Sequence, residues 1–319
     1  MDSAVPARQT RSDGDAFPHD SALSPYLPDP EFEPPFDVVE PLRLATPFVF
    51  NTPHSGCIYP PGFIAASSLD PTALRRSEDA HIDRLFGGVV ALGAPLMSAR
   101  FPRAYLDVNR EPYELDPRMF EGRLPAHANT RSMRVAGGLG TIPRIVADGH
   151  EIYRRRLPLE EAFRRIETLY RPYHLALDAL LERTFAQFGE AILIDCHSMP
   201  STGPLRDEGG TAEIVLGDRY GTSCAPRLTE TIEAAFRARG FGVVRNKPYA
   251  GGFITEHHGA PAFRRHALQI EINRAIYMDE KTLVPSPSFG RIATQIVDIF
   301  AEVMAELEIG QEPRPMAAE

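Results

Sequence analysis

A short apolar run that stops abruptly constrains this chain more than any other feature. Residues 192–194 read Ile-Leu-Ile, residues 195–198 read Asp-Cys-His-Ser, and Pro200 then breaks the pattern. An apolar, β-branched run of this length predicts a buried strand. Ligands of open α/β sheets bind beyond the carboxyl ends of the strands, so the residues that close this run are predicted to face a site.

A second apolar run ends in the same way. Residues 48–50 read Phe-Val-Phe and are followed by Asn-Thr-Pro-His-Ser-Gly over residues 51–56. One histidine at a strand end is more often a hydrogen-bonded structural group. Two strand ends that each carry a His-Ser pair instead indicate that His54 and His197 bind the same group. A metal ion is the simplest group that two imidazoles can share.

Strands and helices alternate along the chain. The sequence predicts strands at 48–51, 95–99, 190–196, 213–216, 241–245 and 267–272, and helices at 77–90, 159–187, 227–239 and 288–308. This alternation predicts an α/β fold with a mixed, largely parallel central sheet flanked by helices. Pro172 is expected to kink the second helix. Residues 111–150 show little periodicity, and a connection of that length predicts a lid or a wall of a substrate site.

Composition limits the cellular setting and the partners. The sequence divides into a Pro-rich flexible leader (1–43), a single domain (44–310) and a polar tail (311–319). With 34 basic and 43 acidic residues the formal net charge is −9, which argues against general nucleic-acid or anionic-membrane binding. The three cysteines form no CxxC pair, and no apolar run approaches the length of a membrane span. We therefore expect a cytoplasmic monomer or homodimer.

A catalytic zinc site needs a third protein ligand and one open position. Asp79 and Asp83 are the candidates, because both fall in the predicted helix that begins at Ser77. Residues four apart share a helix face, so either carboxylate can approach the histidines. An acidic first turn that complements the helix dipole is the alternative explanation for Asp79. The residues themselves leave the choice between the two aspartates open.

Glu271 is the candidate general base. Strand alternation places it on one face with Gln269 and Asn273. A carboxylate inside a buried strand costs free energy unless it is paired or functional. A base that takes the proton from a metal-activated water would explain its position. An ion pair with Arg274 or Arg110 is the alternative.

Several further residues are candidates for binding an anionic substrate. Arginine matches a carboxylate with two parallel hydrogen bonds, and Arg110 follows Asn109 in the segment 107–110. The candidate substrate-binding residues are Arg110, Asn109, Arg144, Ser55, Thr255 and His257, with Arg103 and Arg131 beside the long loop. Adjacent His257 and His258 are predicted to point in opposite directions on an extended segment. Asp195 is the candidate that orients a ligand imidazole from behind, with a backbone carbonyl as the alternative.

The ordered motifs resemble those of the N-formylglutamate amidohydrolases (N-formylglutamate deformylases). They are Pro53-His54-Ser55-Gly56, Asp79-x-His81-x-Asp83-Arg84-Leu85, Asp107-x-Asn109-Arg110, Gly140-x-Ile142-Pro143, Asp195-x-His197-Ser198-Met199, Gly251-Gly252-x-Ile254-Thr255, Gln269-Ile270-Glu271 and Tyr277-Met278. The resemblance covers about residues 47–280. It favours Asp79 as the third ligand. The His-x-x-Glu pair of zinc carboxypeptidases is absent, because Cys57 stands three residues after His54.

The resemblance also implies a fold, a cofactor and a reaction. The fold is that of zinc-carboxypeptidase-type α/β hydrolases, with one divalent ion, zinc, per chain. The substrate is a small anionic N-acyl amino acid, N-formyl-L-glutamate, hydrolysed to formate and L-glutamate within histidine degradation. Two alternatives remain: a zinc hydrolase of another N-acyl amino acid or of a peptide or cell-wall amide, and a non-catalytic metal-binding protein of the same fold.

Overall fold

The elements of the fold are known for most of the chain. The computed structural model describes residues 26–146, 149–202, 206–207 and 210–309. The strands are β1 (Phe36–Val39), β2 (Phe48–Thr52), β3 (Leu96–Ala99), β4 (Phe120–Glu121), β5 (Leu157–Pro158), β6 (Ala191–Met199), β7 (Arg206–Asp207), β8 (Gly210–Thr211), β9 (Ile214–Gly217), β10 (Val243–Arg245), β11 (Arg265–Asn273), β12 (Met278–Asp279) and β13 (Val284–Pro285). The helices are α1 (Pro61–Ala66), α2 (Pro71–Arg75), α3 (Ile82–Phe86), α4 (Met133–Ala136), α5 (Leu159–Arg165), α6 (Arg171–Phe188), α7 (Pro226–Ala238), α8 (Phe253–His258) and α9 (Phe289–Ile309). In this part of the chain, no helix has both the length and the apolarity needed to cross a membrane.

A mixed sheet lies at the centre. Across the described residues its order is β1-β3-β2-β6-β11-β9-β10. Strands β3, β2, β6 and β11 are parallel to one another, while β1 is antiparallel to β3 and β9 is antiparallel to β11. The predicted mixed, largely parallel α/β fold is confirmed. Because β6 and β11 are parallel, their carboxyl ends meet at the same edge of the sheet.

The two faces of the sheet pack against different helices. Phe48 and Phe50 of β2 point to the side of α9, where their ring centroids lie 6.1 and 4.8 Å from that of Phe300. Val49, between them in sequence, points to the opposite side, and with Leu193, its register partner on β6, it belongs to the core that α6 covers. Both faces are therefore buried, which explains the almost continuous apolar runs of the inner strands.

Strand register places the candidate residues in two rows on the α6 side. Asn51 of β2 pairs with Asp195 of β6, and Asp195 pairs with Gln269 of β11. One step further toward the carboxyl end, His197 pairs with Glu271. On this face, polar side chains thus replace the apolar ones as the strands approach their ends.

The predicted helix at 77–90 is shorter than expected. Residues 77–81 form turns, α3 occupies only Ile82–Phe86, and a 3-10 segment follows at Gly87–Leu92. Two contacts explain the late start. The Asp79 N–H donates to the carbonyl of His54 at 3.0 Å, and His81 adopts a left-handed conformation with φ 66°. Asp79 and Asp83 therefore do not share a helix face.

The predicted kink at Pro172 takes the form of a π-helical turn. Ile166–Tyr170 is π-helical and joins α5 to α6, and Pro172 lies in the first turn of α6. Proline has no N–H to donate within a helix, and a π turn directly before it accommodates the missing bond.

Part of the predicted leader contributes to the folded domain. Phe32 is fully buried and its ring contacts those of Phe101 and Tyr105. Phe36–Val39 forms β1 at the sheet edge. The rest of the predicted leader, residues 1–25, and the predicted tail, residues 311–319, lie outside the described residues.

Substitution of Phe300 by alanine tests the packing on which the sheet rests. Phe300 is fully buried against the rings of Phe48, Phe50 and Phe86. We expect Phe300→Ala to lower the free energy of unfolding by about 3–5 kcal/mol, because it removes apolar contact and leaves a cavity. Denaturant titration followed by circular dichroism measures the loss. Leu175→Ala, at a side chain that is 45% exposed, is the control, and an equal loss in both variants would contradict the assignment of the core.

Candidate metal centre

Three side chains from separate elements converge at the carboxyl end of the sheet. His54 follows β2, Asp79 lies in the turns before α3, and His197 belongs to β6. The Nδ1 atoms of His54 and His197 are 3.1 Å apart, and Asp79 Oδ2 lies 3.3 and 3.0 Å from them respectively. All three residues are buried. The prediction that the two histidines converge, with an aspartate beside them, matches this arrangement.

The donor atoms fit a tetrahedral ion. Bonds of about 2.0–2.2 Å to a tetrahedral zinc ion place the ligand atoms roughly 3.3 Å from one another. The three distances here, 3.1, 3.3 and 3.0 Å, are close to that spacing. Two imidazoles and one carboxylate are also a donor set found in catalytic zinc sites, which keep a fourth position open.

A carboxylate holds each imidazole from behind. Asp107 Oδ1 lies 2.8 Å from His54 Nε2, and Asp195 Oδ2 lies 2.9 Å from His197 Nε2. Such a contact keeps a proton on Nε2, so that the Nδ1 lone pair faces the common point. Asp195 has the position that the sequence predicts. The contact from Asp107 was not predicted, because Asp107 was grouped with the residues that bind an anionic ligand.

The charges around the group favour a cation at the common point. Burial disfavours the charged form of His197, but the nearby carboxylates of Asp195 and Asp79 hold its pKa well above the usual value. Burial likewise opposes ionisation of Asp79, whereas hydrogen bonds from His197 and His54 hold its pKa well below the usual range. The negative charge of Asp79 therefore lies at the common point, where a bound metal ion would replace the imidazole proton.

The second oxygen of Asp79 is also fixed. Asp79 Oδ1 accepts from Ser198 Oγ at 3.0 Å and from Arg274 Nη2 at 3.1 Å. Arg274 donates further to the carbonyls of Glu78 and Arg76 at 2.7 and 3.0 Å. Among the described residues, the ion pair of Arg274 is thus with Asp79 rather than with Glu271. These contacts hold the turn that carries Asp79 against the ends of β6 and β11.

Glu271 lies beside the group, in register with His197 on the neighbouring strand. Its side chain accepts from Gln269 Nε2 at 2.8 Å, and Gln269 Oε1 accepts from the Gly252 N–H at 2.8 Å. Burial raises the pKa of Glu271 to about 7, although the charge of His197 opposes the shift. A carboxyl group with a pKa near neutrality is suited to general acid–base chemistry.

A cavity of about 470 Å³ opens over His54, His197 and Glu271. Five arginines line it: Arg76, Arg103, Arg110, Arg134 and Arg274. Arg103 donates to Asp107 at 2.9 Å, and Arg110 donates to the Leu139 carbonyl at 2.8 Å. Residues 134–145 of the long loop form part of the wall, in the position predicted for it. This excess of guanidinium groups favours an anionic ligand.

Asn109 connects the centre to the cavity wall. It lines the cavity, and its Nδ2 lies 3.2 Å from His197 Nε2 and 3.4 Å from Asp195 Oδ2. Its Oδ1 accepts from the Ile254 N–H at 2.8 Å, at the start of α8. Asn109 therefore has structural bonds on both sides of its amide, besides the role in substrate binding predicted for it.

Several predicted residues lie elsewhere. Asp83 is outside the group of converging donors, and its N–H donates to Ser55 Oγ at 3.3 Å. Thr255 Oγ1 donates to the Gly252 carbonyl at 2.9 Å. Arg144 pairs with Asp116 and Glu151 at 3.0 and 2.7 Å and lines a different cavity. Ser55, Thr255 and Arg144 are not among the described residues that line the cavity over the centre.

The segment around His257 is helical and not extended. Phe253–His258 forms α8, so the prediction that His257 and His258 point in opposite directions on an extended segment is wrong. Gly252, the second of the two glycines before it, is the N-cap residue of this helix. The His257 ring stacks on that of Phe253 at 5.2 Å, and His257 is also not among the described residues that line the cavity over the centre.

Known proteins are similar to this chain in sequence, and a solved structure is also similar to it in fold. A sequence profile of a family described as N-formylglutamate amidohydrolase matches residues 46–278. N-formylglutamate deformylase of Pseudomonas aeruginosa is 33% identical over 242 residues, covering 75% of this chain and 85% of that protein. The deformylase of Pseudomonas putida is 32% identical over 237 residues, covering 73% and 82%. The crystal structure of N-formylglutamate amidohydrolase from Ralstonia eutropha JMP134 gives a TM-score of 0.82 at 36% identity, covering 87% of this chain and 99% of that one.

Substitution of Asp107 tests whether the imidazoles are held from behind for a metal. We expect Asp107→Asn to weaken binding of a divalent ion roughly 10- to 100-fold, because the amide no longer fixes the proton on His54 Nε2. Competition with a chelator measures the change. The matched control is Asp116→Asn, which removes another buried carboxylate whose partners are Arg118 and Arg144. Unchanged affinity in Asp107→Asn would refute the orienting role.

Proposed function

The chain belongs to the N-formylglutamate amidohydrolase family, and on that premise we propose that it is a zinc-dependent hydrolase that converts N-formyl-L-glutamate and water into formate and L-glutamate. One observation supports this most strongly: His54, Asp79 and His197 converge within 3.3 Å of one another beside an arginine-lined cavity. The converging metal-type ligands suit hydrolysis of an amide, and the arginine-lined cavity suits a substrate with two carboxylates.

His54, Asp79 and His197 would hold the ion through Nδ1, Oδ2 and Nδ1. When bound, such an ion supplies a Lewis acid, which polarises a carbonyl and makes water more acidic. Asp107 and Asp195 orient the imidazoles by accepting from their Nε2 atoms, so that each Nδ1 would face the ion. Ser198 and Arg274 occupy Asp79 Oδ1, which leaves Oδ2 directed at the common point.

Glu271 is the proposed base and acid of the reaction. It takes a proton from the water whose oxygen forms the new bond to the formyl carbon. The C–N bond then breaks, and the same carboxyl group returns the proton to the departing amine nitrogen. Its burial and its position in register with His197 support this role, because they place a carboxylate of near-neutral pKa beside the metal ligands. Gln269 Nε2 donates to Glu271 Oε1 and so fixes the orientation of the carboxylate.

The arginines of the cavity are the proposed partners of the substrate carboxylates. Arg110, Arg103 and Arg134 line the cavity from the segment after β3 and from α4. Asp107 Oδ2 lies 2.9 Å from Arg103 and 3.5 Å from Arg110, which holds both guanidinium groups in place without filling their donor capacity. Paired guanidinium groups bind carboxylates with defined geometry. The glutamate moiety is thereby oriented with its formyl group toward the centre.

Two variants separate the base from the metal ligands. We expect Glu271→Gln to lower kcat at least roughly 100-fold while the protein retains its metal, because only the proton acceptor is lost. His197→Ala is expected to lose turnover together with the equivalent of metal that this centre holds. Elemental analysis and formate release from N-formyl-L-glutamate measure the two properties on the same preparation. Full activity of Glu271→Gln would remove the base assignment, and full metal content of His197→Ala would remove the ligand assignment.

A substrate series tests the role of the arginines. We expect N-formyl-L-glutamine, which lacks the side-chain charge, to show kcat/KM reduced roughly 10- to 100-fold, since a hydrogen bond to a charged group contributes about 1.5–3 kcal/mol. N-acetyl-L-glutamate, which keeps both carboxylates, is the comparison for the acyl group. Initial rates of amine release are measured for these two compounds and for N-formyl-L-glutamate. If the glutamine and glutamate substrates react equally well, the arginines do not select the side chain.

A further inference from the structure

A second group of metal-type ligands lies on α6 and α8. Among the described residues, two sets of side chains bring their donor atoms within 4.8 Å of one another: the centre described above, and Asp178 with His257 and His258. Asp178 projects from α6, and the two histidines end α8. His258 Nδ1 lies 3.4 Å from Asp178 Oδ1. None of these three residues lines the cavity over the centre.

The geometry of this group parallels that of the centre. The ring centroids of His257 and His258 are 4.8 Å apart, the same separation as between His54 and His197. The contact of 3.4 Å between His258 and Asp178 is close to the 3.0 and 3.3 Å contacts of Asp79. It also matches the roughly 3.3 Å between ligand atoms around a tetrahedral ion.

Neighbouring rings hold both imidazoles in place. His257 stacks on Phe253, with centroids 5.2 Å apart and planes 17° apart. His258 stacks on the buried ring of His174, with centroids 6.2 Å apart and planes 15° apart. Preorganised rings lose little conformational freedom when they bind a ligand, which favours binding.

We propose that Asp178, His257 and His258 form a second binding site for a divalent transition-metal ion, of which zinc is the best match. Two imidazoles and one carboxylate suit zinc, whereas calcium and magnesium prefer sites made of oxygen donors. The Asp178 side chain is 41% exposed and His257 is partly exposed, so water can complete the coordination.

An ion at this site would join α6 to α8 and stabilise the cavity wall indirectly. The N–H of Gly252, the N-cap of α8, donates to Gln269 Oε1, and the Ile254 N–H in the first turn of α8 donates to Asn109 Oδ1. The site takes no part in the proposed reaction. Its contribution is to stability, since an ion that binds only the folded chain raises the free energy of unfolding.

Metal titration of the full-length protein tests the second site. Chelator-treated protein is titrated with Zn²⁺ in competition with a chromophoric chelator, and formate release is measured in parallel. We expect two equivalents for the wild type. Asp178→Asn and His257→Ala each remove a proposed ligand, so each should weaken the affinity of one equivalent for Zn²⁺. The loss should exceed roughly tenfold, the smallest effect expected when a group behind a ligand is lost. Asp178→Asn should retain turnover, and His150→Ala, at an exposed histidine, should still bind two.

The His197→Ala variant separates this site from the proposed catalytic centre. It should bind one equivalent and release no formate, and adding Asp178→Asn to it should weaken that remaining equivalent. A wild type that binds a single equivalent, lost in His197→Ala and unchanged in Asp178→Asn, would overturn the second site and leave the proposed function intact. Two equivalents without formate release would overturn the function and leave the second site.

Discussion

The convergence of His54, Asp79 and His197 is the constraint on which the rest of the structure depends. Three donors from separate elements meet within 3.3 Å in a buried region, where an uncompensated charge is costly. Each is therefore held from behind by another charged group: His54 by Asp107, His197 by Asp195, and Asp79 by Arg274. The supporting groups make the arrangement rigid and give each donor a single orientation. The sheet, the turn before α3 and the segment after β3 must all be in place for this to occur.

Charge balance explains why the site suits both a cation and an anionic substrate. Four buried carboxylates surround the centre, contributed by Asp79, Asp107, Asp195 and Glu271. Within the described residues, Arg274 pairs with Asp79, and Arg103 and Arg110 pair with Asp107. Buried ion pairs repay their desolvation only when their hydrogen bonds are satisfied, and a divalent cation at the common point would complete that compensation. All three arginines also line the cavity, where their positive charge favours an anion.

The sequence could predict what depends on strand periodicity. The ends of the two apolar runs located His54 and His197, and alternation placed Glu271 on the face that it occupies. The structure adds the reason for Asp195, which precedes His197 by one strand period and lies 2.9 Å from its Nε2. The choice of Asp79 over Asp83 depended instead on a turn that no helical period describes, with His81 at φ 66°. The contacts of Asp107 and Arg274 join segments 53 and 195 residues apart, so only the folded chain shows them.

The side-chain amide of Asn109 joins the centre to the cavity wall. Its amide touches His197 and Asp195 on one side and accepts from the first turn of α8 on the other. A side chain at position 252 would bring its Cβ within 2.4 Å of that amide and would have to displace it from its hydrogen bonds. The close approach allows the Gly252 N–H to reach Gln269, which in turn orients Glu271. A shift of α8 would therefore change the environment of both His197 and Glu271. These hydrogen bonds couple α8 to the proposed metal ligands and to the proposed base. The position of the cavity wall is therefore linked to the chemistry at the centre.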